Sequence, residues 1–381
     1  MPLLAGTRVL SFENGLAGPL ATRLLADLGA DVVKVERPGD GDVTRGWDTI
    51  AAGLSSGFVW VNRGKRSVVL DLKDAGSRPA VERLIERSDV VLENHTPGWS
   101  ERVGLDERSV RALRPDVVYV QISGYGPDGP YASRNAYDLV VQGETGLIAV
   151  TGTPEAPARV GISVCDLGAG SYAAVATLAA LARRAATGEG ARVSVSLFDT
   201  MVDWLGYFPH MLWHGRGEPE RSGARHPLFC PYGPFPAADG RRFGLAVLSP
   251  EHWRALCLDV VGRPDLLADP RFGTNESRVE HRHLLEPALE EAFAARPATD
   301  WLGRLEAAGI PCGAVNDVAD VVRHPQLAHN RLVARVDSPA GPIPVVGSPF
   351  LVDGERPPSG DVPGLGQHTA EVLAELGLEP G

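Results

Sequence analysis

The chain has 381 residues and a formal net charge of −11 at pH 7. This length accommodates two domains, and the acidic balance argues against nucleic acid or an anionic membrane as a partner. No targeting signal is visible, the apolar run 172–182 is too short to span a bilayer, and the four cysteines show no CxxC spacing, so a reducing cytoplasm is expected. The histidines form no ligand cluster, and no metal is expected.

The amino-terminal third alternates strand and helix patterns. Residues 8–12 and 31–36 are predicted as buried strands, joined by a tight turn at 15–18 and a helix at 19–28. The alternation continues with helices at 78–87 and 107–113 and strands at 89–93 and 116–122. We therefore predict an α/β fold with a parallel sheet and right-handed crossovers. The turn lacks GxGxxG, which does not favour a dinucleotide site, and Glu36 is interpreted as structural.

Basic and polar residues mark the predicted strand ends. Four basic residues surround a strand within 63–73, and these are Arg63, Lys65, Arg66 and Lys73. A solvated strand rim and a site for a phosphate-rich ligand are both open interpretations. Asn94, His95 and Thr96 directly follow a strand, so we expect them on the ligand side of the sheet.

The stretch 158–182 singles out one carboxylate. A short strand-like run ends at Cys165, and small residues and an apolar helix follow Asp166. This pattern predicts Asp166 as the N-cap of a helix, exposed and ionised, with small residues at 168–171 leaving room for a ligand. Such a carboxylate is either a simple capping group or a nucleophile.

A glycine turn and a strand ending at residue 199 are predicted after the apolar helix. A second pattern begins near residue 226, with predicted strands at 243–248 and 310–315 and predicted helices at 251–261, 281–295, 300–308 and 318–323. We predict a large domain at 1–200, a smaller α+β domain at 225–325, and a return to the large domain at 335–381, with linkers at 201–224 and 326–334. The aromatic residues of the first linker are interpreted as core or subunit contacts.

A series of motifs in chain order resembles the class III CoA-transferases, also called the CaiB/BaiF family. They include LGADVVKVERPGDGDVTRGW at 28–47, NRGKRSVVLDLK at 62–73, DVVLENHTPG at 89–98, AYDLVVQ at 136–142, VCDLGAG at 164–170 and TGEGARVSVSLFD at 187–199. The resemblance implies a Rossmann-like large domain, a small domain, and ring-shaped subunits interlocked as a homodimer. It also implies that coenzyme A is a substrate and product, with no permanently bound cofactor.

The resemblance assigns site residues by position. Asp166 matches the family's nucleophile, which first forms an anhydride with the donor's acyl group and then a thioester with CoA. Residues matching CoA-binding segments are Leu16, Ala17, Arg37, Leu70, Asp71, Leu72, Lys73, Asn94, His95, Thr96, Arg102, Arg134, Asn135, Ala136 and Tyr137.

Three functions follow as alternatives. The first is a CoA-transferase that moves CoA from an acyl-CoA, such as succinyl-CoA or another dicarboxylyl-CoA, to a carboxylic acid. Oxalate is not the expected acceptor, because oxalate transferases carry glutamine where Leu16 stands and the family's glycine-run loop is missing. The second is an acyl-CoA racemase or epimerase of the same fold, but Tyr137 replaces the histidine that this branch uses as a base. The third is a non-catalytic CoA-binding protein, which the retained Asp166 disfavours.

Overall fold

The computed structural model describes residues 2–378, which form two compact units. The larger unit comprises residues 2–147, 160–207 and 325–378, and the smaller comprises 148–159 and 208–324. The large unit is therefore assembled from three separate segments of the chain.

A six-stranded, fully parallel sheet forms the centre of the large unit. Its strands are β1 (Arg8–Phe12), β2 (Asp31–Glu36), β3 (Arg66–Val69), β4 (Val90–Glu93), β5 (Val118–Ser123) and β6 (Ala191–Ser196), in the spatial order β3-β2-β1-β4-β5-β6. The valine-rich strands are buried, as both faces of a parallel sheet require. The order reverses between β1 and β4, and ligands bind at such a switch point in open α/β sheets. The predicted parallel α/β sheet is confirmed.

Helices connect these strands and cover both faces of the sheet. They are α1 (Ala17–Asp27), α2 (Ser56–Asn62), α3 (Arg78–Glu86), α4 (Trp99–Val103), α5 (Glu107–Leu113), α6 (Asp138–Glu144), α8 (Val164–Thr187) and α9 (Leu197–Trp204), whereas the short helix α7 (Leu147–Val150) spans the point where the chain passes from the large unit to the smaller one. Helix α1 packs on α8, and the core on that face is made mainly of Ala, Val and Leu side chains. Small side chains allow this close helix packing.

The carboxyl-terminal segment completes the large unit. It contains α17 (Pro325–His329), the antiparallel pair β10 (Val333–Val336) and β11 (Ile343–Val346), and α18 (Thr369–Glu375). Val372 and Leu373 of α18 join the second core of the sheet. Thr369 and His368 accept hydrogen bonds from the Val69 and Ser67 backbone N–H groups, which belong to the edge strand β3.

The smaller unit is a three-stranded antiparallel sheet with helices. It contains α10 (Phe208–Trp213), β7 (Tyr232–Pro236), β8 (Arg242–Ala246), α11 (Pro250–Ala255), α12 (Pro264–Ala268), α13 (Asn275–Glu280), α14 (Arg282–Phe293), α15 (Ala298–Ala307), β9 (Cys312–Ala314) and α16 (Val318–Val322). Aromatic rings from Phe235, Phe243, Phe293 and Trp301 contact one another in its core. The sequence pattern predicted β8, β9, α11, α14, α15 and α16 but missed β7, α12 and α13.

Two predicted boundaries were wrong. Helix α1 begins at Ala17, so the predicted turn at 15–18 contains the first helical residues. The predicted strand ending at residue 199 stops at Ser196, whose side chain accepts the Asp199 N–H and so caps α9. A capping serine directly after a strand starts the next helix earlier than the strand pattern suggests.

Helix α8 has 24 residues and is apolar enough to cross a membrane by length and composition. Its helical span extends beyond the apolar run recognised in the sequence. Cys165, Ala169 and Ala173 on this helix are fully buried in the core of the large unit. This burial is the behaviour of a core helix.

Candidate functional site

A cavity of about 1050 Å³ opens at the carboxyl edge of the parallel sheet, within the large unit. Residues following β1, β4 and β5 line it, together with Asp166 at the start of α8. It therefore lies at the switch point between β1 and β4. A cavity of this size accommodates a large cofactor-like molecule.

The turn after β1 forms one wall of the cavity and is fixed by Asn94. The Asn94 side-chain amide donates to the Asn14 carbonyl at 2.9 Å and accepts the Asn14 N–H at 2.9 Å. A Cβ atom on Gly18 would lie 2.8 Å from Asn94 Cγ, so this close approach requires glycine. Residues 14–17 therefore present a rigid backbone edge to the cavity.

A buried ionic network forms hydrogen bonds to the backbone of the same turn. Lys34 Nζ donates to Asp42 Oδ2 at 2.7 Å and to the Glu13 carbonyl at 3.0 Å, and Asp42 Oδ1 accepts the Gly15 N–H at 3.3 Å. Lys65 Nζ lies 2.7 Å from Glu13 Oε1. Burial alone would raise the pKa of Glu13, but the lysine charges outweigh it and hold that pKa below its ordinary value. Despite burial, the charge of Lys34 also holds the pKa of Asp42 below its ordinary value, so both carboxylates stay ionised, whereas burial lowers the pKa of Lys65 to about 7.

The predicted environment of Asp166 was wrong. Helix α8 begins at Val164, so Asp166 lies in its first turn and is not the N-cap. The strand predicted to end at Cys165 is absent, because Cys165 itself belongs to the helix. The carboxylate is half-buried, and burial with the nearby charge of Asp138 raises its pKa to about 7. Asp166 lines the cavity, and no donor among residues 2–378 lies within hydrogen-bond distance of its carboxylate. It is a carboxylate with unusually high basicity and free access to a ligand.

The small residues after Asp166 serve helix packing. A Cβ on Gly168 would lie 2.8 Å from Thr200 Cγ2 on α9, and one on Gly170 would lie 2.5 Å from the Ala17 carbonyl on α1. The expectation that they leave space for a ligand was wrong, because neighbouring helices occupy that space.

Beside the cavity, the end of β4 carries a second high-pKa carboxyl group. Glu93 is buried, and desolvation raises its pKa to about 7, although it accepts the His95 N–H at 2.9 Å and Gln121 Nε2 at 2.6 Å. The His95 ring stacks on Trp99 with centroids 3.7 Å apart. Burial lowers the pKa of His95 to about 4, so at neutral pH the His95 part of this cavity wall is uncharged.

The structure brings together ten of the sixteen predicted site residues. Those lining the cavity are Leu16, Ala17, Asn94, His95, Thr96, Arg134, Asn135, Ala136, Tyr137 and Asp166. Outside its lining lie Arg37, Leu70, Asp71, Leu72, Lys73 and Arg102. The Arg37 side chain is exposed, whereas Leu70 is buried in the sheet core.

Three of the four basic residues within 63–73 have structural partners. Arg63 is buried against Asp27, Lys65 against Glu13, and Arg66 pairs with Asp31, Glu371 and Glu375. Of the two open interpretations, the phosphate site is wrong for these three residues, and the solvated rim is wrong for Arg63 and Lys65, which are buried. The Glu36 interpretation is confirmed, since its oxygens accept bonds from Arg45, Ser67 and the Asp42 N–H.

Sequence reasoning missed several groups around Asp166. Trp47 and Val43 line the cavity with exposed apolar side chains, and Gln121 and Arg192 line it from β5 and β6. Asp138 was overlooked, although it lies in the AYD segment that the sequence analysis singled out. Within the described residues 2–378, no group of three or more His, Cys, Asp or Glu side chains is placed to hold a metal ion.

The parallel sheet, the switch-point cavity and the carboxylate at the start of α8 are typical of an α/β enzyme with room for a large ligand. The chain belongs to CoA-transferase family III, whose model matches residues 4–369. It is an enzyme of the transferase class, and the family resemblance is confirmed.

Individual relatives agree with this membership over nearly the whole chain. The acetyl-CoA:oxalate CoA-transferase of Acetobacter aceti is 37% identical over 93% of this chain and 90% of its own length. The human succinyl-CoA:glutarate CoA-transferase is 34% identical, over 98% of this chain and 86% of the relative. A CaiB/BaiF family protein from Brucella suis has a crystal structure that superposes with a TM-score of 0.86 at 35% identity, covering 98% of this chain and 99% of that one.

Proposed function

We propose that this CoA-transferase moves CoA between dicarboxylic acids through covalent intermediates on Asp166. The observation that carries this proposal is the half-buried carboxylate of Asp166, which faces the cavity without a hydrogen-bond donor among residues 2–378. A structural carboxylate at this burial would be paired. An unpaired one is suited to attack a substrate.

The proposed reaction runs through four exchanges at carbonyl carbon. An Asp166 oxygen attacks the donor thioester, forming a C–O bond and releasing CoA thiolate, and the thiolate then attacks the aspartyl carbonyl carbon and releases the donor acid. The acceptor carboxylate next attacks the aspartyl thioester, which releases the thiolate and gives a second anhydride. Thiolate attack on the acceptor carbonyl forms the product and restores Asp166. A carboxylate of raised basicity is a stronger nucleophile in the first step.

We propose that the nucleotide end of CoA lies along the surface that carries Arg37, Lys73 and Arg102. Arg37 pairs with the exposed Asp40 only at 3.8 Å, and Lys73 has no ion-pair partner among the described residues. Weakly engaged cations of this kind are available for phosphates. The thioester end then extends past Asn94–Thr96 and Arg134–Tyr137 to the turn at Leu16 and Ala17.

The acceptor is proposed to be a dicarboxylate longer than oxalate. Leu16 is buried against Leu20 and Val61, so its side chain offers no polar group to a second carboxylate close to the reacting carbon. Two relatives are named for oxalate and for glutarate, which makes these acids the appropriate comparison.

This proposal predicts the acceptor preference. With succinyl-CoA or acetyl-CoA as donor, glutarate should give a higher kcat/KM than oxalate, because the Leu16 side chain has no hydrogen-bonding group for the second carboxylate of a short diacid. Initial rates measured by chromatographic separation of the CoA esters decide the order. A preference for oxalate would contradict the interpretation of Leu16, and incorporation of solvent deuterium at the α-carbon without CoA transfer would indicate a racemase.

We also propose a homodimer of interlocked, ring-shaped subunits. Three mutually packed helices of the large unit, α6, α8 and α9, expose large apolar side chains, namely Leu139, Val140, Val175, Val202 and Trp204. Val175 is 63% exposed in the middle of α8. Exposed apolar side chains on three packed helices fit an interface with a second copy of the chain.

Light scattering coupled to size exclusion should give a mass about twice 40.5 kDa, persisting at nanomolar concentration because interlocked chains cannot part without unfolding. An active species with the mass of one chain would contradict the dimer.

A further inference from the structure

Asp138, the first residue of α6, ties that helix to the start of α8. Its side chain is 8% exposed, and Oδ1 accepts the Cys165 N–H at 2.8 Å. The Asp138 carbonyl also accepts a bond from Cys165 Sγ at 3.4 Å. The first N–H groups of a helix lack partners within the helix, and Ser163 at the N-cap provides no side-chain bond. Asp138 therefore caps the start of α8, because the residue at the N-cap position provides no capping side chain.

Gln142 links Asp138 by hydrogen bonds to the segment before α8. Its Nε2 donates to Asp138 Oδ2 at 2.7 Å, and its Oε1 accepts the Val160 N–H at 2.9 Å. Gln142 is fully buried. Both oxygens of Asp138 thus accept hydrogen bonds from neutral donors, and neither of these donors offsets its charge.

The next residue after Cys165 is the proposed nucleophile. Burial first, and then the charge of Asp138, raises the pKa of Asp166 to about 7. A like charge beside a half-buried carboxylate opposes its ionisation and makes the ionised form more basic.

Other charged groups also lie on α6 and on the elements packed against α8. They are Arg23, Asp27, Glu144, Arg192, Asp199 and Asp203. Arg23 pairs with Asp27 at 3.5 Å and Arg192 with Glu107 at 3.5 Å, while Asp203 accepts the Tyr172 hydroxyl. Burial and the charge of Asp138 are the influences that raise the pKa of Asp166.

We propose that Asp138 is a positioning residue for the reaction, which fixes the first turn of α8 through the Cys165 N–H and keeps a second negative charge beside Asp166. This inference rests on the proposed role of Asp166 as nucleophile. The arrangement places the nucleophile and maintains its basicity without any direct contact between Asp138 and substrate.

The test is Asp138→Asn, which keeps the side-chain size and an oxygen for the Cys165 N–H but removes the charge. Asp166 should then ionise at lower pH. The acid limb of the pH–rate profile, where acylation slows because Asp166 becomes protonated, should therefore have its midpoint about one pH unit or more lower. Because a less basic carboxylate attacks more slowly, the plateau rate should fall about tenfold. Intact-protein mass spectrometry after rapid acid quench measures the acylation rate at each pH with acetyl-CoA or succinyl-CoA.

A matched control is Gln142→Ala, which removes the hydrogen bond between Gln142 and the Val160 N–H but leaves the charge of Asp138. It should leave the acid limb at its wild-type pH. A lowered plateau in Asp138→Asn with an unmoved acid limb would overturn the electrostatic part of the inference and reduce Asp138 to a structural residue.

A second measurement does not depend on activity. The infrared carboxylic-acid band that disappears in Asp166→Asn reports protonation of Asp166 in the free enzyme, and its midpoint should fall by about one pH unit or more in Asp138→Asn. An unchanged midpoint overturns the inference whether or not acylation occurs. Absence of any adduct in the wild type would instead refute the proposed function, while the infrared titration would still judge the role of Asp138.

Discussion

Replacing Lys34 with methionine should lower the free energy of unfolding by about 3–5 kcal/mol, because it leaves two buried carboxylates without their shared cation. Lys34 is fully buried, and its ammonium group lies 2.7 Å from Asp42 Oδ2 and 3.5 Å from Glu13 Oε1. Burial alone would lower the pKa of Lys34, but the charges of Asp42, Glu13 and Glu36 outweigh it and raise that pKa. The lysine is therefore ionised at neutral pH, and its loss breaks the network.

Urea denaturation followed by circular dichroism measures this effect. Arg263→Met is the matched control, because Arg263 forms an exposed pair with Asp265 at 2.7 Å, and such pairs contribute about 0–1 kcal/mol. Similar small losses in both variants would contradict the description of the Lys34 network. Since Lys34 also holds the Glu13 carbonyl, the variant should lose activity under conditions where it remains folded.

The parallel sheet could be predicted from the sequence because its signals are local. Strands β1 and β2 are short valine- or leucine-containing runs bounded by turns, and their predicted limits match the structure. The strand order and the switch-point cavity then follow from general rules for α/β sheets.

The start of α8 could not be predicted, because a distant residue determines it. Ile162, Val164 and Cys165 favour a strand by local propensity, but Asp138 accepts the Cys165 N–H from 27 residues earlier and stabilises a helix. Burial and the charge of the same distant residue, Asp138, raise the pKa of Asp166, where the local pattern predicted an exposed, ionised group.

The basic residues within 63–73 show the same limit. Lys65 finds its partner Glu13 at a separation of 52 residues, and Arg63 finds Asp27 at 36. A one-dimensional pattern of cations cannot distinguish a phosphate site from cations neutralised within the fold.

Changing Asp166 to asparagine should lower kcat/KM by on the order of a thousandfold or more, because the amide has no carboxylate oxygen to attack the thioester. The binding of CoA esters should change little, since the proposed phosphate contacts lie elsewhere in the large unit. The substitution also removes a group that burial disfavours in its charged form, so the variant should be at least as stable as the wild type above pH 7. Glu101→Gln is the control, because Glu101 is an exposed carboxylate that lines the same cavity.

The most direct test is a hydroxylamine trap on the wild-type enzyme. After incubation with succinyl-CoA, hydroxylamine should convert the aspartyl thioester into a hydroxamate, and peptide mass spectrometry should locate that hydroxamate at Asp166. The Asp166→Asn variant, handled to prevent deamidation, should show no modification. A hydroxamate on another residue, or full transferase turnover by the asparagine variant, would show that Asp166 is not the nucleophile.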